Sequence, residues 1–192
     1  TERSDLDFDP NIPSEIRSWI DCDMLFHGER QNTRLKVALL RVPTVLASGG
    51  YVFMNPALNS AIGGRVRPMG FDPMCTVVAD KDVARAVRLA LHAGAGGVYN
   101  IAGREAVPFS VLTRWTRTPG LPLPSSLLRS TSRALQLLGG EGLRSGLDGA
   151  HLRYGFTLDT TRAERELGYR PGYRIGLSRA GDGKLRIETA AA

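Results

Sequence analysis

Short continuous apolar runs alternate along the chain with segments whose apolar residues recur at helical spacing. The runs at Val37–Leu40, Cys75–Ala79 and Gly97–Gly103 each lie near a glycine or a proline, and Pro43 follows the first. A short uninterrupted apolar run of this kind is typical of a strand buried on both faces, as in a parallel sheet. The pattern therefore predicts three short strands, of which the one at Val37–Leu40 would be buried on both faces.

Two long helices fit the polar and apolar spacing between these runs. Ser14 can cap a helix over about Glu15–Asn32, with Ile16, Ile20, Met24 and His27 on one side. Asp80 or Asp82 can cap a second helix, in which apolar residues fall at i, i+3, i+4, i+7 and i+8: Val83, Ala86, Val87, Ala90 and Leu91. Shorter helical pieces are predicted at about 55–62, 110–116 and 126–138.

A last helix is indicated by the signals at its ends. Asp159 is a suitable N-cap, Thr161 and Glu164 have capping-box spacing, Gly168 is the residue type favoured after the last turn, and Pro171 prevents continuation. Because strands alternate with helices along the whole sequence, the predicted fold class is α/β.

Four sequence segments occur in an order and at a spacing that match one known family. They are ALLRVPTVLASGG, VVADKDVARAVRLAL, GVYNIAG and TLDTTRAERELGYRP, and the opening TERSDLDFDP adds a weaker fifth. Together they resemble the C-terminal portion of the extended short-chain dehydrogenases/reductases, the NAD-dependent epimerase/dehydratase family. The resemblance runs from Thr1 to about Leu177, and the chain would be an atypical member.

The resemblance implies a C-terminal part of a Rossmann-type parallel sheet with a small, mostly helical substrate-side lobe. Residues 1–110 would form the end of the Rossmann-like NAD(P)-binding domain, 111–177 the lobe and closing helix, and 178–192 a flexible tail. An active parent protein would exchange hydride between a nicotinamide and a carbinol or ketone, as an isomerase or oxidoreductase.

The cofactor implied by the resemblance is NAD or NADP, which the family holds on a glycine-rich turn between a strand and a helix. No such motif occurs in this sequence, because its glycine clusters do not lie between a strand and a helix in that order. Binding would then require residues outside this chain, from a missing N-terminal Rossmann half or a companion chain. The backbone of Pro43, Thr44, Val45 and Leu46 would line the nicotinamide end.

The catalytic pair of the family, Tyr-x3-Lys on a helix, has no match in the helix that should carry it. The best spacing matches there are Trp19 with Asp23 and Asp21 with Leu25. An indole does not transfer protons, and a carboxylate would raise rather than lower the pKa of a neighbouring phenol. No catalytic residue is therefore assigned.

The substrate side also departs from the family pattern. The position where sugar-nucleotide enzymes of the family carry an arginine is Cys75 here, and Arg65 and Arg67 lie close enough in sequence to replace it. By the resemblance, Arg65, Arg67, Met74 and Cys75 would border a pocket for a small-molecule substrate, with a nucleotide-sugar as one candidate.

Composition and charge narrow these hypotheses further. With 192 residues, 42% of them hydrophobic, the chain can form one substantial core, and no apolar run is long enough to span a membrane, which favours a cytoplasmic protein. The two cysteines lack partners at ligand spacing, so no metal site is expected.

Residues 1–100 hold 11 basic and 11 acidic groups, whereas 101–192 hold 14 basic and 8 acidic groups. A solvated arginine-rich surface explains that excess most simply.

Three function hypotheses remain open at this point. The chain is part of an epimerase/dehydratase-like enzyme, or a non-catalytic binding or scaffold relative that has lost the Tyr-x3-Lys pair, or a domain that binds nucleic acid or anionic membranes through its arginines. No nucleic-acid partner is expected from the first two. The helix from Glu15 is the candidate face for a homodimer.

Overall fold

The computed structural model describes residues 14–32, 36–48, 50–53, 66–70, 72–115, 121–124, 157–179 and 185–191. Four helices lie in these ranges: α1 (Ser14–Asn32), α2 (Asp80–His92), α3 (Phe109–Trp115) and α4 (Thr161–Leu167). The strands are β1 (Ala38–Arg41), β2 (Thr44–Ala47), β3 (Gly50–Phe53), β4 (Val66–Met69), β5 (Met74–Ala79), β6 (Gly97–Asn100), β7 (Ala106–Pro108), β8 (Leu121–Pro124), β9 (Tyr173–Arg179) and β10 (Leu185–Ala191).

Parallel pairing between strands that are distant in sequence defines the architecture. β1 pairs with β6 from Ala38↔Gly97 onward, β2 pairs with β5, and β4 pairs with β8, all in parallel. β3 and β7 add antiparallel edges, so that one sheet has the order β3-β2-β5-β7. Parallel strands connected through helices confirm the predicted α/β class.

The segment after β6 joins two of these sheets. The Ile101 N–H donates to the Arg41 carbonyl in β1 at 2.9 Å, and the Gly103 N–H donates to the Val77 carbonyl in β5 at 2.9 Å. A Cβ at Gly103 would lie 2.6 Å from the Val77 oxygen, which is closer than real contacts allow. Glycine is therefore required where this segment crosses from one sheet to the other.

The core lies between the sheets, α2 and α4. Its buried members are Val45, Val78, Ala86, Ala90, Tyr99, Ile101, Ala163, Leu167 and Tyr169. The helical spacing predicted for α2 is confirmed for Ala86 and Ala90, which are buried, whereas Val87 and Leu91 are 44% and 75% exposed. Ala86 and Ala90 are the fully buried apolar residues of α2, and Val83 and Leu89 pack against the same core while partly exposed.

The caps of α2 and α4 differ in detail from the sequence prediction. Ala79 occupies the N-cap of α2 without a side-chain bond, and Asp82 instead accepts main-chain N–H groups from residues after α4. Thr160, one residue after the predicted Asp159, is the N-cap of α4. Gly168 ends α4 with φ 65°, the left-handed conformation that its glycine predicts.

An antiparallel hairpin forms near the C-terminus, where the sequence predicted a flexible tail. β9 and β10 pair from Tyr173↔Ala191 to Arg179↔Leu185. Gly181-Asp182-Gly183, between the two strands, has a turn-forming composition that the prediction overlooked.

The predicted helical pieces at 55–62 and 126–138 lie outside the described residues. None of the helices in the described ranges is both long and apolar enough to cross a bilayer.

Candidate functional site

A groove of about 410 Å³ runs between α1 and β1 and opens at the carboxyl end of that strand. α1 contributes Trp19, Cys22, Asp23 and Phe26, and Leu158 also lines the groove. β1 and the turn after it contribute Leu39, Leu40, Arg41, Val42 and Pro43. The walls are therefore mostly apolar, with two charged side chains among them.

Those two charged side chains form an ion pair with each other. Nε and Nη2 of Arg41 both lie 2.7 Å from Oδ2 of Asp23, and the side chains are 27% and 14% exposed. Burial of a single charge in this apolar groove would be costly, so each group neutralises the other. The pair also fixes α1 against the end of β1.

The face of α1 in the groove differs from the one predicted from apolar spacing. Met24 and His27, which the spacing grouped with Ile20 on one side of the helix, are both exposed, Met24 to 50%. Trp19 and Asp23, one turn apart, line the groove instead. The prediction failed because it searched for apolar residues alone, whereas an aspartate faces inward to meet Arg41.

The predicted nicotinamide-end segment spans the groove and the four-stranded sheet. Pro43 lines the groove, while Thr44, Val45 and Leu46 form β2 and are 0%, 6% and 0% exposed. The Thr44 hydroxyl is buried without a hydrogen-bond partner among the described residues. Of the four predicted positions, Pro43 alone is placed to contact a ligand in this groove.

Two of the four residues predicted for the substrate side, Met74 and Cys75, lie at the start of β5. Met74 is 43% exposed, whereas Cys75 is 1% exposed and its thiol lies 3.8 Å from the Pro73 carbonyl. Burial, with a smaller effect from Asp72, raises the pKa of Cys75 to about 12, so its thiol stays neutral. Arg67 lies in β4 opposite Pro122, and Arg65 lies outside the described residues.

Sequence reasoning missed the Asp23–Arg41 pair and the contribution of Phe26 and Leu39 to the groove. A signal for the pair was available, because Arg41 closes an otherwise apolar strand and a half-buried arginine needs an anionic partner. No group of three metal-ligating side chains occurs within the described ranges.

No protein-family model matches the chain, and no curated protein matches it. Solved structures resemble its fold. A nucleoside-diphosphate-sugar epimerase from Pseudomonas aeruginosa matches with a TM-score of 0.55 at 20% identity, covering 85% of this chain and 52% of that chain. A dTDP-glucose 4,6-dehydratase from Bacillus anthracis, in complex with NAD, matches with a TM-score of 0.54 at 17% identity, covering 90% and 50%.

A second dTDP-glucose 4,6-dehydratase, from Streptomyces venezuelae, matches with a TM-score of 0.51 at 20% identity, covering 88% of this chain and 47% of that chain. The chain thus spans about half the length of the solved structures that it resembles. At these identities the likeness concerns the fold. The chain has an α/β fold with parallel strands that matches about half of the Rossmann-like fold of these epimerases and dehydratases.

Proposed function

We propose that this chain is the substrate-side part of a nicotinamide-dinucleotide-binding protein of the epimerase/dehydratase type, in which the nicotinamide end of NAD or NADP lies at Pro43. The observation that carries the proposal is the groove at the carboxyl end of parallel β1. Ligands of open α/β sheets bind beyond the carboxyl ends of their strands. The fold likeness to a dehydratase in complex with NAD supports the choice of cofactor.

The groove residues suit a flat, weakly polar ring. Trp19 offers an aromatic face, Pro43 adds an apolar ring, and the remaining wall is mostly apolar. The Asp23–Arg41 pair adds no net charge to the groove. When bound, the cofactor would supply hydride chemistry, and these residues would orient its ring and exclude water.

One observation favours the non-catalytic relative over the enzyme. Hydride exchange with a carbinol needs a side chain that takes up and returns the hydroxyl proton. Among the described groove residues, the carboxylate of Asp23 is held by Arg41 at 2.7 Å, Trp19 cannot act as an acid or base, and Cys22 offers a thiol in place of the Tyr-x3-Lys pair that the resemblance implies. We therefore propose that the protein binds the dinucleotide without turning over a nucleotide-sugar.

The arginine-rich second half gives weaker support to nucleic-acid or membrane binding. Arg104 donates to the Pro171 carbonyl, and Arg162 donates to the Val98 carbonyl and to Glu166. These guanidinium groups are engaged within the chain, so the excess positive charge is partly used for internal bonds.

Titration with NADH tests the proposed site. In a Trp115→Phe variant, Trp19 is the only tryptophan of the sequence. We expect saturable quenching of Trp19 emission with energy transfer to the reduced nicotinamide, and loss of the transfer on Trp19→Phe. The titration should use the protein isolated from its native source as well as the 192-residue chain, because the glycine-rich turn does not occur in this sequence.

The outcome separates the candidate functions. Binding without conversion of dTDP-glucose supports the non-catalytic proposal, and binding with conversion supports the enzyme. No binding by the native-source protein would contradict both, and steep salt-dependent retention on DNA or anionic vesicles would then support the third hypothesis.

A further inference from the structure

The outer surface of α2 carries two parallel strips of side chains. One strip is apolar, because Ala84, Val87 and Leu91 recur at i, i+3 and i+7 and all three are exposed. The other strip is basic, and its members recur at i, i+4, i+7 and i+11, again all of them exposed: Lys81, Arg85, Arg88 and His92. These are named the apolar strip and the basic strip.

Neither strip is needed to hold α2 in place. The opposite face of the helix, where Asp82, Ala86 and Ala90 are buried, already packs against the sheet. Val87 and Leu91 continue the apolar spacing of the sequence, yet they are 44% and 75% exposed. Single exposed apolar side chains are common, but these two align beside a row of basic groups about 16 Å long. Aligned strips of this kind indicate a surface that a partner covers.

The basic strip is not neutralised from within α2. The helix has two acidic residues, and Asp82 is buried with two main-chain N–H donors. Asp80 lies in the first turn, outside the strip, and its Oδ1 accepts the Lys81 N–H at 2.9 Å. Arg85 uses Nη1 for the Arg170 carbonyl at 3.2 Å, which leaves the other donors of its guanidinium for further bonds. This side of α2 therefore carries an excess of positive charge.

We propose that the outer surface of α2 docks an amphipathic helix of a partner protein. Apolar residues of the partner helix cover Val87 and Leu91, and acidic residues along one of its sides face the basic strip. Two helices packed nearly in line keep rows of side chains in contact over several turns. Carboxylates form charge-assisted hydrogen bonds with guanidinium and ammonium groups, and such pairs fix which partner docks and in which orientation.

This surface is separate from the groove of the proposed function. The described residues that line the groove come from α1, from β1 and the turn after it, and from Leu158, and none belongs to α2. The inference therefore goes beyond dinucleotide binding and does not depend on it.

Charge and shape favour an acidic helix over the other occupants. A second copy of the chain, related by a twofold axis, would bring the basic strip against itself. A nucleic acid would pair with the basic strip but would offer no apolar surface for Leu91 on the phosphate backbone. A membrane-surface helix inserts a broad apolar face with large side chains, whereas the apolar strip here consists of Ala84, Val87 and Leu91.

Fluorescence anisotropy with a labelled synthetic helix tests the proposal. The probe is as long as the basic strip and has leucines at i, i+3 and i+7 and glutamates along one side. We expect saturable binding by the 192-residue chain and by the protein isolated from its native source. A probe with lysine in place of every glutamate should not bind. Absence of glutamate-probe binding by the native-source protein would overturn the proposal, as would equal binding of the two probes.

Two variants and two matched controls locate the surface. Leu91→Ser and Arg88→Glu should each weaken binding by about tenfold or more. Leu25→Ser and Arg114→Glu make the same changes at exposed positions of α1 and α3 and should leave binding unchanged. Circular dichroism checks that all four variants fold. Equal losses in the variants and their controls would contradict docking on α2.

A charge exchange tests direct contact with the basic strip. Among probes in which one glutamate is replaced by lysine, one should bind Arg88→Glu at least about tenfold more tightly than the all-glutamate probe does. No recovery with any of these probes would contradict a contact between Arg88 and the partner helix.

Three further results would replace the acidic helix by another occupant. Steep salt-dependent retention on DNA that Leu91→Ser leaves unchanged would overturn the proposal in favour of a nucleic acid. Binding to phosphatidylserine vesicles without binding of the glutamate probe would favour a membrane surface. Concentration-dependent self-association that Leu91→Ser abolishes would favour a second copy. The NADH titration can fail or succeed separately, because Leu91→Ser leaves the groove unaltered.

Discussion

The carboxylate of Asp82 in α2 accepts the main-chain N–H of Gly172 at 2.8 Å, across 90 residues of sequence. Its second oxygen accepts the N–H of Tyr173 at 3.2 Å, and Asp82 is 0% exposed. A buried carboxylate satisfied by two N–H donors ties α2 to the start of β9. This one side chain therefore connects the helix beside the parallel strands to the C-terminal hairpin.

Replacing Asp82 should destabilise the protein more than any surface change on α2. Asp82→Ala leaves two buried N–H donors without an acceptor, which costs roughly 2–4 kcal/mol in the free energy of unfolding. Asp82→Asn keeps one acceptor and should lose less. Urea denaturation followed by circular dichroism measures both, with Asp80→Ala as the matched control because Asp80 bonds only the adjacent Lys81 N–H among the contacts described. A loss for Asp82→Ala no larger than that of the control would contradict this role.

Two glycine substitutions should have opposite effects. Gly103→Ala places a methyl group 2.6 Å from the Val77 carbonyl and should cost roughly 1–3 kcal/mol, since main-chain atoms must move. Gly28→Ala lies in α1, where an added Cβ meets nothing within 4 Å, and should stabilise by about 0.5–1 kcal/mol through helix propensity. Thermal unfolding of both variants in parallel would reveal the difference. Equal shifts in Tm would show that the crossing at Gly103 has room for a side chain.

Exchanging the charges of the Asp23–Arg41 pair should reveal their coupling. Asp23→Arg and Arg41→Asp each place like charges together in a mostly apolar groove, and each should lower the free energy of unfolding by about 1–2 kcal/mol. The double variant restores opposite charges and should recover about 1 kcal/mol of that loss. A double-mutant cycle by urea denaturation measures the coupling. Simple additivity of the two losses would show that the pair contributes nothing to the docking of α1.

The stability of the protein should depend on Cys75 at alkaline pH. Because burial raises the pKa of this thiol to about 12, the folded state keeps its proton at pH values where the unfolded chain has released it. The contribution of the thiol is therefore complete below the ordinary cysteine pKa of about 8.5 and is lost as pH rises from there towards the raised value.

The measurement compares wild type with Cys75→Ala over a pH series. Wild type should be the more stable at neutral pH, because the alanine leaves a small void, and the difference should narrow as pH rises above the ordinary cysteine pKa. All other titrating groups are common to both proteins and cancel. A difference that stays constant through the alkaline range would contradict the assignment of a buried, neutral thiol.

Local sequence patterns predicted the helices and strands that have clear end signals or a clear hydrophobic periodicity. The buried run at Cys75–Ala79, the alanine face of α2 and the glycine that ends α4 follow from rules that act within a few residues. The Asp23–Arg41 pair and the Asp82 bonds to Gly172 and Tyr173 depend on residues far apart in sequence. A helix-capping role for Asp82 was the natural local expectation, but its carboxylate instead accepts the main-chain N–H groups of Gly172 and Tyr173.

The groove itself could not be predicted from the sequence for the same reason. Its apolar walls come from α1, from β1 and from Leu158, and periodicity within α1 alone favoured the side carrying Met24. The choice of face was decided by one polar contact with Arg41. Pro43 lines the groove, and its place at the nicotinamide end of a cofactor stays a prediction.

The three residues from Ile101 to Gly103 bind successively to β1 and to β5. This short linkage makes the wall of the groove and the four-stranded sheet mechanically continuous. Anything that displaces β1 sideways would also strain the hydrogen bond from the Gly103 N–H to the Val77 carbonyl. The connection between the two strands consists of main-chain atoms, so no flexible side chain can absorb the movement. The main-chain connection therefore opposes widening of the groove. A displacement of β1 would be transmitted to β5, inside the four-stranded sheet.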